Sequence, residues 1–339
     1  MKKINCAVIG MGVGERHAKF YKKSGYTNLL KIYEKDKFKI TKLKKKFPNV
    51  EFVKNENEII KDKKIKLVSI ASYDNYHASQ IIKCLKYQKN IFVEKPLCLS
   101  LQELKKIFKY YKKSKSKISC NLILRGSPQF QKIKFLSQNK KYGNIYFVEA
   151  DYNYGRVHKI LNGWRNKIPY YSVTSGGGVH MIDQINWILD EYPYEVKAEA
   201  NKIVSKNSLF KFKDFSLAIL KYKSGKISKV SSNFGCKVPH HHQFKVFKTK
   251  SSIFYGLNGV DFFKDDKKKT KPFNVKYKFK ENQKNNVLKD FVQNIIKKKN
   301  SKLLNFESIK NCMLICFAIE KSFNKNKNVK INYKSLKIT

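Results

Sequence analysis

The sequence predicts an α/β protein in two parts. The first is an N-terminal Rossmann-type doubly wound parallel sheet, and the second is a C-terminal α+β domain on a large, mostly antiparallel open sheet. Three observations carry this. Over roughly the first 120 residues, strand-like and helix-like segments alternate as βαβ units do. A glycine-rich turn, Gly10-Met11-Gly12-Val13-Gly14, joins the first such strand to its helix. After Asn121 the grammar changes, and long alternating runs follow between Glu195 and Ser252, with Lys223-Ser224-Gly225-Lys226 as a hairpin turn.

Ile4 to Ile9 reads as the first strand and Arg16 to Ser24 as its helix. Asn28 to Glu34 with Lys37 to Lys46, and Leu67 to Ala71 with His77 to Lys86, repeat the unit. Asn90 to Val93 adds a short strand. Ser100-Leu101-Gln102-Glu103 is a capping box that opens a helix to about Lys113, and Lys117 to Asn121 closes the sheet. The boundaries predict a domain over 1–121 and a second over 122–339. In the second, a helix near Gln129 to Ser137 precedes a long strand from Asn144 to Tyr154, an irregular loop to Ser175 and a helix from Val179 to Leu189. Alternating segments follow between Glu195 and Ser252, and Asp265 to Lys271 reads as a charged surface loop. Val287 to Lys298 and Ser308 to Asn324 have amphipathic helical spacing, and Val329 to Tyr333 reads as a last strand.

At 339 residues and 42% hydrophobic content, the chain can bury two cores. Its net charge of +48 would suit a polyanion, yet among 73 basic residues only Arg16, Arg125, Arg156 and Arg165 are arginine. The lysines run along the whole chain with no confined block, zinc spacing or RNP-like motif, which argues for a solvated lysine surface and against a nucleic-acid partner. Seven cysteines without a Cys-x-x-Cys pair read as buried thiols in a reducing compartment. The opening Lys2-Lys3 and the apolar Ile4 to Val13 mimic a short signal peptide, but the run merges into the glycine turn without a small-residue cleavage site. The longest apolar run, Cys312 to Ile319, is far below the roughly 18 residues of a membrane span, so a cytoplasmic protein with no membrane partner is expected.

The chemistry concentrates at the ends of the early strands. Gly10, Gly12, Val13 and Gly14 lie between strand and helix, where a tight turn lets backbone amides approach a pyrophosphate at the helix N-terminus. The spacing is one residue shorter than the usual Gly-x-Gly-x-x-Gly. Glu34, 20 residues past Gly14 at the end of the second strand, suits hydrogen bonds from ribose hydroxyls and repels a 2′-phosphate. NAD is therefore expected over NADP, with Lys35 able to soften the preference. Ser72, Asn75 and His77 follow the next strand, where Asn75 reads either as a cofactor contact or, with Asp74, as a helix cap. Phe92-Val93-Glu94-Lys95-Pro96 ends another strand, placing Lys95 where a partly desolvated ammonium can hold a substrate hydroxyl and exchange protons. His180 and Asp183 share one face of a helix opened by Gly176-Gly177-Gly178. His180 reads as a base or as a satisfied structural histidine. His240-His241-His242 alternate faces in a strand and cannot all bind one ion, so no metal is expected.

Taken in order, Val8-Ile9-Gly10 through Ala18, Ala71 through His77, Val93 through Pro96, Trp164-Arg165 and Gly176 through Asp183 resemble the Gfo/Idh/MocA oxidoreductases over nearly the whole chain. The resemblance implies a nicotinamide between two domains, a catalytic lysine at Lys95, an acid/base partner at His180, and a homo-oligomer, a homodimer or homotetramer. It also exposes a departure. An aspartate is expected four residues before the histidine, and Gly176 stands there. Tyr154 or Tyr171 is a candidate to complete the site, or else the reaction differs. Because arginine is scarce, Arg125, Arg156 and Arg165 read as places where a planar fork is required, for an anionic sugar or nucleotide sugar or for structural ion pairs. With Tyr154, Trp164 and Asp183 they form the expected substrate contacts. The function expected is hydride transfer between NAD and a secondary hydroxyl or ketone of a sugar, cyclitol or nucleotide sugar. Competing readings are a NAD-binding regulatory or scaffold protein without turnover, redox-neutral sugar chemistry with bound NAD, and a polyanion binder.

Overall fold

A computed structural model describes residues 3–264, 273–275, 280–297, 301–334 and 336, so the loop expected over Asp265 to Lys271 lies outside the described residues. The chain forms two compact units: Met1–Ile123 with Lys284–Ile309 and Leu336–Thr339, and Leu124–Gln283 with Lys310–Ser335.

In the first unit, β1 (Ile4–Ile9), β2 (Thr27–Tyr33), β3 (Glu51–Phe52), β4 (Leu67–Ile70), β5 (Asn90–Val93) and β6 (Ile118–Cys120) form one sheet. Its order is β3-β2-β1-β4-β5-β6, and every neighbouring pair is parallel. All four residues of β4 are buried, the pattern of a strand covered on both faces. The direction of winding reverses between β1 and β4, and a crevice for ligand is expected where their carboxyl ends part. The capping box closes as predicted: Glu103 N donates to Ser100 Oγ at 3.1 Å, and Leu99 N donates to Glu103 Oε2 at 2.7 Å.

One helix joins a different unit from the one predicted. Asn286–Lys297, expected in the 122–339 domain, belongs with the first unit. There the ring of Phe291 meets Phe92 of β5 at 6.0 Å, and Lys117 Nζ donates to Asn294 Oδ1 at 2.6 Å. Its apolar stripe matches the sheet's open flank.

The second unit adds β7 (Ile145–Asn153), β8 (Glu195–Asn201), β9 (Phe215–Lys221), β10 (Ile227–Asn233), β11 (His241–Lys248), β12 (Ser251–Gly256), β13 (Gly259–Phe263), β14 (Phe273–Val275) and β15 (Val329–Lys330). They line up as β14-β13-β12-β11-β7-β10-β9-β8-β15. Only β7 and β10 run parallel; the other pairs are antiparallel. The sheet thus runs beyond Ser252, where the alternation seemed to stop. The last strand ends at Lys330, short of Tyr333, whose hydroxyl instead donates to Pro193 O at 2.6 Å.

A buried carboxyl in this unit gives a stability prediction. Glu320, on the helix Phe306–Lys325, is 8% exposed and accepts from the Tyr170 hydroxyl at 2.7 Å. Burial outweighs its hydrogen bonds and pushes its carboxyl up to about 7. The folded state therefore keeps a proton that an unfolded glutamate releases near pH ~4.3, so stability falls as pH rises from there to about 7. Glu320→Gln is expected to raise Tm at pH 8 by about a few degrees and to leave it unchanged near pH 4. Parallel melting curves of the two proteins at both pH values check this.

Candidate functional site

In the first unit, a cleft of about 360 Å³ opens at the ends of β1, β2 and β4, lined by Gly10, Met11, Gly12, Glu34, Ala71, Ser72 and neighbours. It sits where the winding reverses. Each glycine has a separate reason. Gly10 has φ +86°, and a Cβ there would lie 2.6 Å from Ala71 O. A Cβ on Gly14 would press on Val8 Cγ1 at 3.0 Å, so this glycine lets the first helix close on the sheet. A Cβ on Gly12 would meet nothing within 4 Å, so the backbone there is open to the cleft. Val13 is exposed at the helix N-cap and is not part of the lining.

Glu34 ends its strand with both oxygens engaged. Oε2 accepts from Met11 N at 2.7 Å and Oε1 from Asp36 N at 3.0 Å. The carboxylate braces the glycine loop while remaining in the cleft wall. On the opposite wall, Ser72 Oγ donates to Gln80 Oε1 at 2.7 Å, and Gln80 Nε2 donates to Glu56 Oε2 at 2.6 Å. Tyr73, Tyr76, Lys35 and Lys39 complete the cleft. Of these the sequence pointed only to Lys35, as a neighbour of Glu34, although Tyr73 and Tyr76 fall inside the quoted 71–77 motif. Asn75 keeps a buried Oδ1 with no hydrogen-bond partner among the described residues.

Two expected cofactor residues face inward instead. His77 is fully buried, with Nδ1 2.7 Å from Pro96 O and Nε2 3.2 Å from Ser72 O. It ties the loop after β4 to the Lys95-Pro96 turn, whose peptide is cis. Glu94 accepts from Asn121 Nδ2 at 2.7 Å and lies 3.2 Å from His17 Nε2. Burial alone would raise its carboxyl, yet His17, Asn121 and the neighbouring Lys95 hold it below the usual carboxylate range. A fixed negative charge therefore adjoins the Lys95 ammonium. Lys95 itself is half-buried, directly after β5.

In the second unit, a π-helical turn, Thr174–Gly178, feeds the helix Val179–Leu189 where an irregular loop was expected up to Ser175. The glycines allow it. A Cβ at 176 would collide with the Tyr171 hydroxyl, one at 177 with the Tyr152 and Phe234 rings, and one at 178 with Ser232. His180 is 6% exposed and stacks on Tyr152, with ring centroids 6.2 Å apart. His240 and His242 meet the same tyrosine at 5.3 and 5.2 Å, while His241 turns away to Pro239 O. Burial holds His242 neutral, its ring pushed down to about 3. Among the described residues no group of His, Cys, Asp and Glu has the makings of a metal site.

Of the expected substrate residues, two bind each other. Arg125 Nε donates to Asp183 Oδ2 at 2.9 Å and Nη2 to Oδ1 at 2.7 Å, with side chains 7% and 1% exposed. Asp183 therefore does not stand in for an aspartate at 176. The others gather elsewhere. Arg165 Nε donates to Tyr171 Oη at 3.0 Å, and its guanidinium lies 4.6 Å from the Trp164 ring and 5.7 Å from the Tyr154 ring. Arg156, exposed, sits 5.8 Å from Tyr154.

The sheet order, the glycine turn and the cleft at the switch point define a Rossmann-type dinucleotide-binding fold. Residues 4–122 match a family model described as "Oxidoreductase family, NAD-binding Rossmann fold", and residues 130–254 match the C-terminal domain of the same family. The chain belongs to the Gfo/Idh/MocA oxidoreductases. It is 25% identical to myo-inositol 2-dehydrogenase of Thermotoga maritima, over 96% of this chain and 97% of that one. Among solved structures, myo-inositol 2-dehydrogenase of Lactobacillus plantarum superposes with a TM-score of 0.82 at 18% identity, covering 98% of this chain and 100% of that one. A levoglucosan dehydrogenase in complex with NADH and L-sorbose gives 0.87 at 18% identity, with the same coverage. These structural likenesses establish the fold. No helix among the described residues is long and apolar enough to cross a membrane.

Proposed function

We propose that the protein oxidises a secondary hydroxyl of a sugar or cyclitol with NAD, or reduces the matching ketone. The observation that carries this is the cleft at the β1/β4 switch point, with the open backbone at Gly12 and the carboxylate of Glu34 in its lining. Relatives named for inositol and levoglucosan dehydrogenation support the substrate class. Bound NAD supplies the hydride acceptor. Lys95 donates a charged hydrogen bond to the substrate oxygen, and His180 takes its proton in oxidation and returns it in reduction. Absorbance of NADH with a panel of sugars and cyclitols tests the reading. A protein that binds NAD and reduces it with none of them is a binding protein of the same fold.

Glu34 sets the preference for NAD, because its carboxylate accepts ribose hydroxyls and repels a 2′-phosphate. Lys35 and Lys39 line the same cleft beside Asp36 and Glu56, so removing the Glu34 carboxylate shifts its charge toward the positive. Glu34→Ser is expected to raise KM for NAD about tenfold or more and to lower KM for NADP, from the loss of charge-assisted hydrogen bonds. Steady-state kinetics with both nucleotides decide it; an unchanged ratio removes Glu34 from cofactor choice.

A further inference from the structure

Resting on that reading, we propose that the substrate carries an oxyanion, a carboxylate or phosphate on its sugar, that Arg165 binds it, and that Tyr171 is the residue positioning Arg165. The starting point is the glycine at 176. The family resemblance leads one to expect a carboxylate four residues before His180, and here a side chain at 176 would occupy the place of the Tyr171 hydroxyl. Tyrosine and aspartate exclude each other at this spot.

The exchange alters the local charge. A carboxylate would neutralise a neighbouring guanidinium, whereas a neutral phenol accepts its Nε–H and brings no negative charge of its own. Arg165 is held on three sides: Nε by Tyr171 Oη at 3.0 Å, and its face by the Trp164 ring at 4.6 Å and the Tyr154 ring at 5.7 Å. Trp164 in turn meets Tyr171 edge-on at 6.2 Å, so the clamp is a closed set of contacts. Anchored through Nε, a guanidinium directs its two Nη groups as a fork, the geometry that matches carboxylate and phosphate. Arg156 brings a second positive charge to the other contact of Tyr154, at 5.8 Å. A neutral polyol gains little from two cations, while an oxyanion gains charge-assisted hydrogen bonds.

Calorimetric titration of the NAD-loaded full chain with D-glucuronate, D-glucose 6-phosphate and D-glucose tests this. At least one anionic probe is expected to bind about tenfold or more tighter than glucose. The two anionic arms distinguish carboxylate from phosphate. Arg165→Lys, which keeps the charge and loses the fork, and Tyr171→Phe, which keeps the ring and loses the hydroxyl, are each expected to erase most of that preference. Melting temperature and NAD affinity should stay at wild-type values in Tyr171→Phe, which separates positioning from a structural role. The double variant Tyr171→Ala with Gly176→Asp restores a carboxylate in the vacated space and should shift the preference to glucose. Equal affinity for all three probes, including none measurable, overturns the proposal, as does a preference that survives both single variants. Anion preference without NADH formation removes the dehydrogenase reading alone; NADH formation from neutral sugars with no anion preference removes this one alone.

Discussion

Lys95→Met is expected to lower kcat by about two to four orders of magnitude, with NAD affinity within a factor of a few, the size typical of losing a positioned acid/base group. Methionine keeps the length and apolar stem of lysine, so the loss isolates the ammonium. The turn around it has anchors of its own. Asn121 Nδ2 donates to Glu94 at 2.7 Å, and His77 holds Pro96 O at 2.7 Å, so the turn stays anchored on both sides of the substituted residue. The depressed carboxyl of Glu94 keeps a negative neighbour beside position 95 near neutral pH, which favours the charged lysine as hydrogen-bond donor. Single-turnover NADH absorbance with a sugar that the wild type oxidises, alongside NADH fluorescence titration, separates chemistry from binding. A wild-type rate in the variant would show that another group holds the substrate oxygen.

The first sheet was legible because its strands obey a local rule. Residues such as Leu67 to Ile70 are apolar but for Ser69, flanked by turn formers, and the Ser100/Glu103 box announces its helix within four positions. What was not legible depends on partners far away in sequence. The Asn286–Lys297 helix has a readable apolar stripe, but nothing in a stripe says that its phenylalanine will meet Phe92. β3 has two residues and pairs through only Lys31 and Ile32, too short for alternation to register. Motif reading put the glycine turn, Glu34 and the Lys95 turn after strands, and the first two line the cleft. It could not tell that His77 faces inward, because a helix N-terminus offers both faces. The signal for Tyr171 was present but indirect. A glycine in place of an expected carboxylate leaves volume to be filled, and a large aromatic five residues earlier is the nearest candidate, yet only the backbone path of the π-helical turn shows that it fits.

Arg125→Met is expected to cost about 3–5 kcal/mol of stability, because it strands the Asp183 carboxylate in the core. Asp183 is 1% exposed, and apart from Arg125 the hydrogen bond to its oxygens comes from Gln184 Nε2 at 3.2 Å. Burial raises this carboxyl and the guanidinium opposes the rise, so removing the arginine leaves protonation as the remaining relief. The double variant Arg125→Met with Asp183→Asn should recover most of the loss, since it removes the unpaired charge together with its partner. Urea unfolding of the two singles and the double gives the coupling directly. The same series decides what Arg125 is for. Were its fork a substrate contact, Arg125→Lys would raise KM and leave unfolding untouched. As the partner of Asp183, and stacked 5.4 Å from the Trp187 ring, it should instead lower the unfolding midpoint with KM little changed. Asp183 lies one turn after His180 on the same helix, so the pair also fixes which face of that helix His180 presents. A loss of kcat in Arg125→Met beyond the unfolded fraction, restored in the double variant, is the expected trace of that link. A double variant no more stable than the single would show that the arginine supports the fold through its stacking and not through the ion pair.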